Sequence, residues 1–361
     1  MRALALSILL VLPPTTLAQP DQSRGGGLSA RSDIFKVTHG PFAVTQSDLT
    51  IRDEDRSKDL HLRIRTPKLK DSDKAPEQGW PLLVFSHGAG GSRNAFPVLQ
   101  DLLASHGYIC IAPTHSDSYS LKDKPSDARE LATPDGRRNL LASVKLGDRT
   151  RDCSLILDRL AEIAPGVPIN NDQLAIAGHS AGAFTTQILA GAKVRGGALG
   201  QVGRGQAIRM TSGADDRFKA AVIISGQGTA SRSLTDDSWS AIKVPILVFS
   251  GSLDGSPPQM GGETGQTRRH PFEKSRGTAN GGPPAYLVYF EGGTHSAYSG
   301  KGSTLLGERP TTDADQIEQA TNAAVLTFLN AHLRADPKAL DILKSDALSR
   351  TIPGKVEYQS K

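Results

Sequence analysis

The chain of 361 residues is poor in cysteine and aromatics: two cysteines, two tryptophans, and only 5% Phe, Trp and Tyr together. Two cysteines cannot build a disulfide framework or a cysteine-ligated zinc site. Whether Cys110 and Cys153 bridge or pack as small apolar thiols stays open at this level. No stretch approaches the roughly 20 consecutive apolar residues a membrane-spanning helix requires, so stable membrane insertion is excluded. The formal net charge of +5 is spread without a basic stripe, which argues against nucleic-acid binding. It reads as a solubilising surface charge, with weak attraction to anionic polymers as the lesser alternative. No His-Glu-x-x-His string or carboxylate cluster calls for a metal, and no cofactor is expected.

The ends of the chain carry the next information. "MRALALSILLVLPPTTLAQP" has an early Arg2, an apolar run over residues 3–12 and a small-residue cleavage site at Thr16-Leu17-Ala18. Residues 1–18 therefore read as a secretory signal peptide, placing the mature protein in a secreted or periplasmic location. A Gly-rich, polar lead-in over 19–40 precedes one domain over 41–335, and 336–361 is a C-terminal extension. At 37% apolar residues the domain can bury a substantial core.

Within the domain, strand and helix patterns alternate. "LHLRIRTP" (60–67) alternates apolar and polar residues like a half-buried outer strand. "PLLVFSH" (81–87), "YICIAPTH" (108–115), "QLAIAGH" (173–179), "FKAAVIIS" (218–225), "VPILVFSG" (244–251) and "AYLVYFE" (285–291) are short apolar runs, as in strands covered on both faces. Helical spacing links Val98, Leu99, Leu102 and Leu103, then Cys153, Ile156, Leu157, Leu160 and Ile163, then Ile317, Ala320, Ala324, Phe328 and Leu329. Buried strands alternating with helices predict an α/β fold, a mostly parallel central sheet with helices on both faces. Two Gly/Arg-rich insertions, 193–217 and 256–284, are expected as walls of a cleft at the carboxyl edge of that sheet or as surface loops.

The chemistry gathers at strand ends. "LAIAGHSAG" (174–182) contains Gly-x-Ser-x-Gly, a string chance alone would supply about 0.3 times in a chain this long, so context decides. Here an apolar strand enters Ser180 and a helical segment leaves it, the strand–turn–helix setting of a nucleophile elbow. A serine hydroxyl needs a base, and the base an orienting acid. In chain order the acid should end a later strand and the histidine should follow the last one. Asp254 and His295 stand at those two places, with Asp236 and Asp237 as fallback acids. A tetrahedral oxyanion needs donors. The backbone N–H of Ala181 supplies one, and the N–H of Ala89, in the close-approaching loop His87-Gly88-Ala89-Gly90-Gly91, the other. His87 reads as a loop-fixing residue, and His179 as a side chain packed below the serine.

With these residues, "VFSHGAGGSRNAFPVLQDLLASHGYICIAPTHSDS" and "LAIAGHSAGAFTTQILAGA" resemble the α/β-hydrolase superfamily. The likeness is to the branch holding platelet-activating-factor acetylhydrolases, dienelactone-hydrolase-like proteins and secreted polyester hydrolases, and it covers about residues 60–333. The resemblance implies an oxyanion N–H at Ala89, after the His-Gly pair. It departs at "ISGQGTA" (224–230), where the plasma acetylhydrolases carry their acid and this chain has no aspartate; Asp254 then follows the dienelactone-hydrolase arrangement. Dienelactone hydrolases use a cysteine where Ser180 stands, and two tryptophans give no support for a polyester substrate. The expectation is a serine hydrolase of carboxylic esters acting on small-molecule or lipid-like esters. A peptidase or amidase of the same fold and a non-catalytic binding protein are the alternatives, and the oligomeric state is unspecified.

Overall fold

In a computed structural model the described residues are 37–70, 74–121, 133–199, 210–258, 261–301 and 309–361. The segment expected to be a signal peptide, 1–18, and most of the expected lead-in lie outside them. Eleven strands appear among the described residues. They are β1 (Ala43–Asp53), β2 (Lys58–Lys68), β3 (Trp80–Ser86), β4 (Ile109–Thr114), β5 (Ile169–His179), β6 (Lys193–Arg195), β7 (Met210–Ser212), β8 (Ala220–Ile224), β9 (Ile246–Leu253), β10 (Ala285–Thr294) and β11 (Val356–Ser360). The main helices are α1 (Pro97–Ser105), α2 (Pro134–Ser143), α3 (Leu146–Asp158), α4 (Ala181–Leu189), α5 (Ala314–Leu333) and α6 (Pro337–Lys344).

Nine strands form one sheet in the order β1-β2-β4-β3-β5-β8-β9-β10-β11. The six from β4 to β10 run parallel, while β1, β2 and β11 are antiparallel to their neighbours. Every residue of β3, β4 and β8 is buried, which is why these segments read as unbroken apolar runs rather than alternating ones. The two faces carry separate cores. Leu83, Phe85 and Cys110 face one core with Leu99 and Leu103 of α1 and Ile317 and Phe328 of α5. Leu82, Val84 and Ile111 face the other, with Cys153 and Ile156 of α3 and Phe184 and Ile188 of α4. Both cysteines are free: the sheet lies between them, and burial raises the Cys110 thiol pKa to about 12.

Side-chain caps fix helix starts on the α5 side. The Asp313 carboxylate accepts from the N–H groups of Asp315 and Gln316, and the Asp336 carboxylate from those of Lys338 and Ala339, satisfying donors a helix start leaves orphaned. The stripe expected over 151–163 is instead α3 followed by a separate turn, Leu160–Ile163, with the break at Arg159. Residues 336–361 contribute α6 and β11, which pairs with β10 in the main sheet. The first insertion departs from the cleft-wall alternative. A helix after a strand returns the chain to the amino edge, so the described ends of this insertion are rooted there: Asp215 N–H bonds the Leu189 carbonyl and Lys219 N–H the Leu174 carbonyl. Its described part is the β6–β7 ribbon.

After β3 the chain crosses to β4 on one side, then returns to β5 on the other. The strand order therefore reverses at β3 and β5, and the loops leaving their carboxyl ends flank a crevice, the place where open parallel sheets bind ligands.

Candidate active site

β5 ends at His179 and α4 starts at Ala181, leaving Ser180 alone to turn the chain. It does so at φ 55° and ψ −119°, with its side chain making no cap bond to the helix. Both flanking glycines are dictated by crowding. A Cβ on Gly178 would strike the backbone of Gly182, and one on Gly182 would lie 2.7 Å from the His87 carbonyl oxygen and closer still to that of Ser86. The turn is thus pressed against the end of β3, and Ser180 N–H is tied to the Ile224 carbonyl of β8 at 3.1 Å.

The three expected side chains meet. Ser180 Oγ lies 2.9 Å from His295 Nε2, and His295 Nδ1 lies 2.9 Å from Asp254 Oδ1. Asp254 follows β9 directly and is fully buried; His295 follows β10, with 14% of its side chain exposed. Burial alone would push the Asp254 pKa up. The Arg268 charge and the bonds from His295 and Tyr298 outweigh it and hold the carboxyl well below the usual range. With Nδ1 protonated toward the carboxylate, Nε2 is left as an acceptor for the serine proton.

Asp254 has further partners that the sequence did not reveal. Ser225, just past β8 at φ 53°, donates its hydroxyl to Asp254 Oδ1 at 2.8 Å and stands 2.6 Å from His295 Nδ1. Tyr298 donates to Oδ2 at 2.7 Å. Arg268, from the second insertion, pairs with Oδ1 at 2.9 Å and donates to the Ser225 and Gly226 carbonyls at 2.8 and 3.0 Å. A buried polar residue ending a central strand was the one available signal, and "IIS" at 223–225 carries it. The fallback acids stand elsewhere: exposed Asp236 pairs with Lys274, and Asp237 precedes the turn Ser238–Ala241.

The loop after β3 crosses the elbow, since a side chain at Gly88 would stand 3.5 Å from Ser180 Cβ. Ala89 N–H donates to no acceptor among the described residues. Ala181 opens α4, where N–H groups have no intrahelical partner and the helix dipole favours negative charge. His87 is loop-fixing as expected: Nδ1 donates to the Gly88 carbonyl at 2.6 Å and Nε2 accepts from His115 N–H at 3.0 Å. Burial and the nearby Arg149 charge keep its pKa far below 6.5. His179 differs from expectation, because its ring lies tilted at 42° against that of His295, centroids 4.8 Å apart, and Nε2 donates to the His295 carbonyl at 2.8 Å. It supports the histidine loop rather than the floor of the serine, and burial with the neighbouring His295 lowers its pKa to about 3.

Behind the loop lies a second serine–histidine–aspartate chain. Ser86 Oγ donates to His115 Nε2 at 2.9 Å, and His115 Nδ1 donates to Asp152 Oδ2 at 2.8 Å. All three are fully buried, so this chain braces the fold and meets no solute. Asp152 also takes Lys58 Nζ at 2.7 Å. Next to it Arg149, 1% exposed, pairs with Asp117. Burial works against the Asp117 carboxylate, but Arg149 outweighs it and lowers its pKa to about 2. Among the described residues no three His, Cys, Asp or Glu side chains converge to hold a metal ion, and no helix is long and apolar enough to cross a membrane.

A mostly parallel sheet flanked by helices, with a serine in a strained strand–turn–helix at its topological switch point, is the architecture of an α/β hydrolase. The crystal structure of a protein assigned as a dienelactone hydrolase from Klebsiella pneumoniae agrees. It superposes with a TM-score of 0.51 at 19% identity, covering 78% of this chain and 99% of its own. More narrowly, residues 57–252, over half of the chain, match the family platelet-activating factor acetylhydrolase, isoform II, and the chain belongs to that family. Similar curated proteins are the platelet-activating factor acetylhydrolases of Canis lupus familiaris, 30% identical over 156 residues (34% of this chain, 34% of the relative), and of Bos taurus, 28% identical over 154 residues (34% of each). The matched region spans about a third of the length of these relatives.

Proposed function

We propose that the protein is a secreted serine hydrolase of carboxylic esters. Ser180 attacks the acyl carbon while His295 Nε2 takes its proton. Asp254 stabilises the resulting imidazolium, and the N–H groups of Ala89 and Ala181 receive the oxyanion. Return of the proton expels the alcohol, and the acyl-enzyme is hydrolysed by a water activated through the same histidine. No step calls on a metal or an organic cofactor. The observation that carries this reading is the pair of 2.9 Å contacts linking Ser180, His295 and Asp254, three residues from three different strand ends. Membership of an acetylhydrolase family favours ester over amide substrates, and residues 1–18 are the proposed export leader.

The test is hydrolysis of p-nitrophenyl esters of increasing acyl length by the wild type and Ser180→Ala. The variant should keep its fold and lose turnover by about 10⁴-fold or more, the scale of losing a nucleophile of this kind. Residual ester cleavage within tenfold of wild type, or cleavage of peptide amides with none of esters, would overturn the reading.

A further inference from the structure

The loop carrying Ala89 is held from behind by a charge pair that never reaches the cleft. Arg149, near the start of α3, has each of its five N–H groups directed at an acceptor. Nε and Nη2 bond Asp117 Oδ1 and Oδ2 at 2.8 and 2.7 Å. Nη1 bonds the His87 carbonyl at 2.7 Å and approaches Ser86 Oγ at 3.5 Å. Nη2 also bonds the Gly88 carbonyl at 3.2 Å. Asp117 completes the grip from the other side, accepting the N–H of Gly90 at 3.1 Å, while Tyr119 N–H bonds the Gly90 carbonyl at 3.0 Å. Gly90 sits at φ +73°, a conformation suited to glycine.

The Gly88 carbonyl and the Ala89 N–H belong to one peptide plane and, in a trans peptide, point in opposite directions. That carbonyl is turned inward by three donors: Arg149 Nη2, His87 Nδ1 at 2.6 Å and Gly91 N–H at 3.1 Å. Its partner N–H must therefore face outward, over the elbow. A lysine in place of Arg149 offers one point of attachment where the planar fork offers several in fixed directions. The ion pair is fully hydrogen-bonded, the condition under which a buried pair is tolerated.

We propose that Arg149 and Asp117 are positioning residues for the oxyanion site, clamping the chain on both sides of Ala89 and so fixing the direction of its N–H. The proposal rests on the ester-hydrolase reading above and goes beyond it, because neither residue touches the reacting atoms. A donor held in advance costs no reorganisation when negative charge develops, and its value lies in the transition state rather than in substrate binding. The clamp should therefore show itself in kcat and in affinity for tetrahedral adducts, with little change in KM.

The experiment compares wild type, Arg149→Lys and the milder Asp117→Asn, which keeps the shape and an acceptor for Gly90 N–H. Near-UV circular dichroism checks the fold, and kcat, KM and inhibition by n-butylboronic acid, which forms a tetrahedral adduct on a serine, are measured. Arg149→Lys should lose about 10²-fold in kcat with KM within threefold. Boronate affinity should fall in step with kcat, and Asp117→Asn should show a smaller loss of the same pattern. A folded variant of either kind that keeps kcat and boronate affinity within threefold of wild type overturns the clamp. So does a loss carried entirely by KM. If Arg149→Lys does not fold, Asp117→Asn decides by the same criteria. Failure of the ester-hydrolase reading is separate: there wild type is inactive or Ser180→Ala stays active, whereas the clamp fails with wild type active and Ser180→Ala dead.

Discussion

The conformation of Ser180 should be measurable as stored energy. At φ 55° and ψ −119° it lies outside the small left-handed region a residue with a Cβ tolerates. Residues held in such sparsely populated regions cost about 1–3 kcal/mol. Replacing Ser180 by Ala or by Gly removes the hydroxyl and its bond to His295 alike, so that loss cancels between the two variants. What remains is the Cβ. Glycine relieves the strain and gives back about 0.5–1 kcal/mol through the greater entropy of its unfolded chain. The net expectation is that Ser180→Gly is more stable than Ser180→Ala by about 1 kcal/mol. With a urea m value of about 3 kcal/mol/M, the two midpoints should stand about 0.3 M apart. Gln319, exposed in the second turn of α5, supplies the control. There, Gly should be less stable than Ala by about 1 kcal/mol, so the preference should change sign between the two sites. An alanine at 180 that is favoured over glycine to the extent seen at 319 would mean that the turn stores no strain, and the account of the elbow would be wrong.

Two further outcomes follow from the same geometry and from the buried histidines. Gly182→Ala places a methyl against the backbone carbonyls of Ser86 and His87. The end of β3 must move away from the elbow, at a cost of about 1–3 kcal/mol or more, and ester turnover should fall with it; urea unfolding and p-nitrophenyl acetate hydrolysis measure both, and an unchanged midpoint would refute the close contact. His87 and His115 are buried with pKa values well below 6.5, so the unfolded chain binds protons that the folded chain refuses. Their stabilisation is complete above pH 6.5 and declines below it by about 1.4 kcal/mol per pH unit for each. Asp254 and Asp117, with lowered values, add stability that is present above about pH 4 and is lost only below it. Denaturant midpoints measured from pH 8 to 5 should therefore fall below pH 6.5, and a flat profile would contradict neutral, buried imidazoles.

Much of this was legible in the sequence, for reasons particular to each element. The parallel strands β3, β4 and β8 are buried on both faces, and that burial is written into Leu82 to Phe85, Ile109 to Ala112 and Ala220 to Ile224. The edge strands were not visible. β1, "AVTQSDLTIRD", is largely exposed, and β11, "VEYQS", has no buried residue; their pairing is dictated by the open edges of β2 and β10, a tertiary fact. Ser180, Asp254 and His295 could be proposed as a converging set because mechanism and chain order fix which strand ends such residues would occupy. Their supports could not. Arg268 and Arg269 are adjacent and chemically identical, yet the first is buried against Asp254 and the second reaches Glu357 and the Tyr289 ring. Nothing local tells the two apart.

Both halves of the candidate site are thus braced by an arginine that stands one layer behind the groups expected to react. Arg149 grips the loop of Ala89, and Arg268 grips the loops of Ser225 and Asp254 through their carbonyls as well as through the carboxylate. The second arrangement carries an electrostatic cost, since a cation beside Asp254 weakens the stabilisation that the carboxylate can give an imidazolium. What it contributes instead is geometry: Asp254 sits on an irregular segment directly after β9, and three donors, from Ser225, His295 and Tyr298, hold its two oxygens in one orientation, while Arg268 donates to its backbone carbonyl and places its charge 2.9 Å from Oδ1. A guanidinium suits both tasks because its rigid fork can bind a carboxylate and backbone carbonyls at once. The strand ends deliver the three side chains to one place; Arg268, from the second insertion, holds the loops of Ser225 and Asp254 there, and Arg149, from α3, holds the loop of Ala89 beside them.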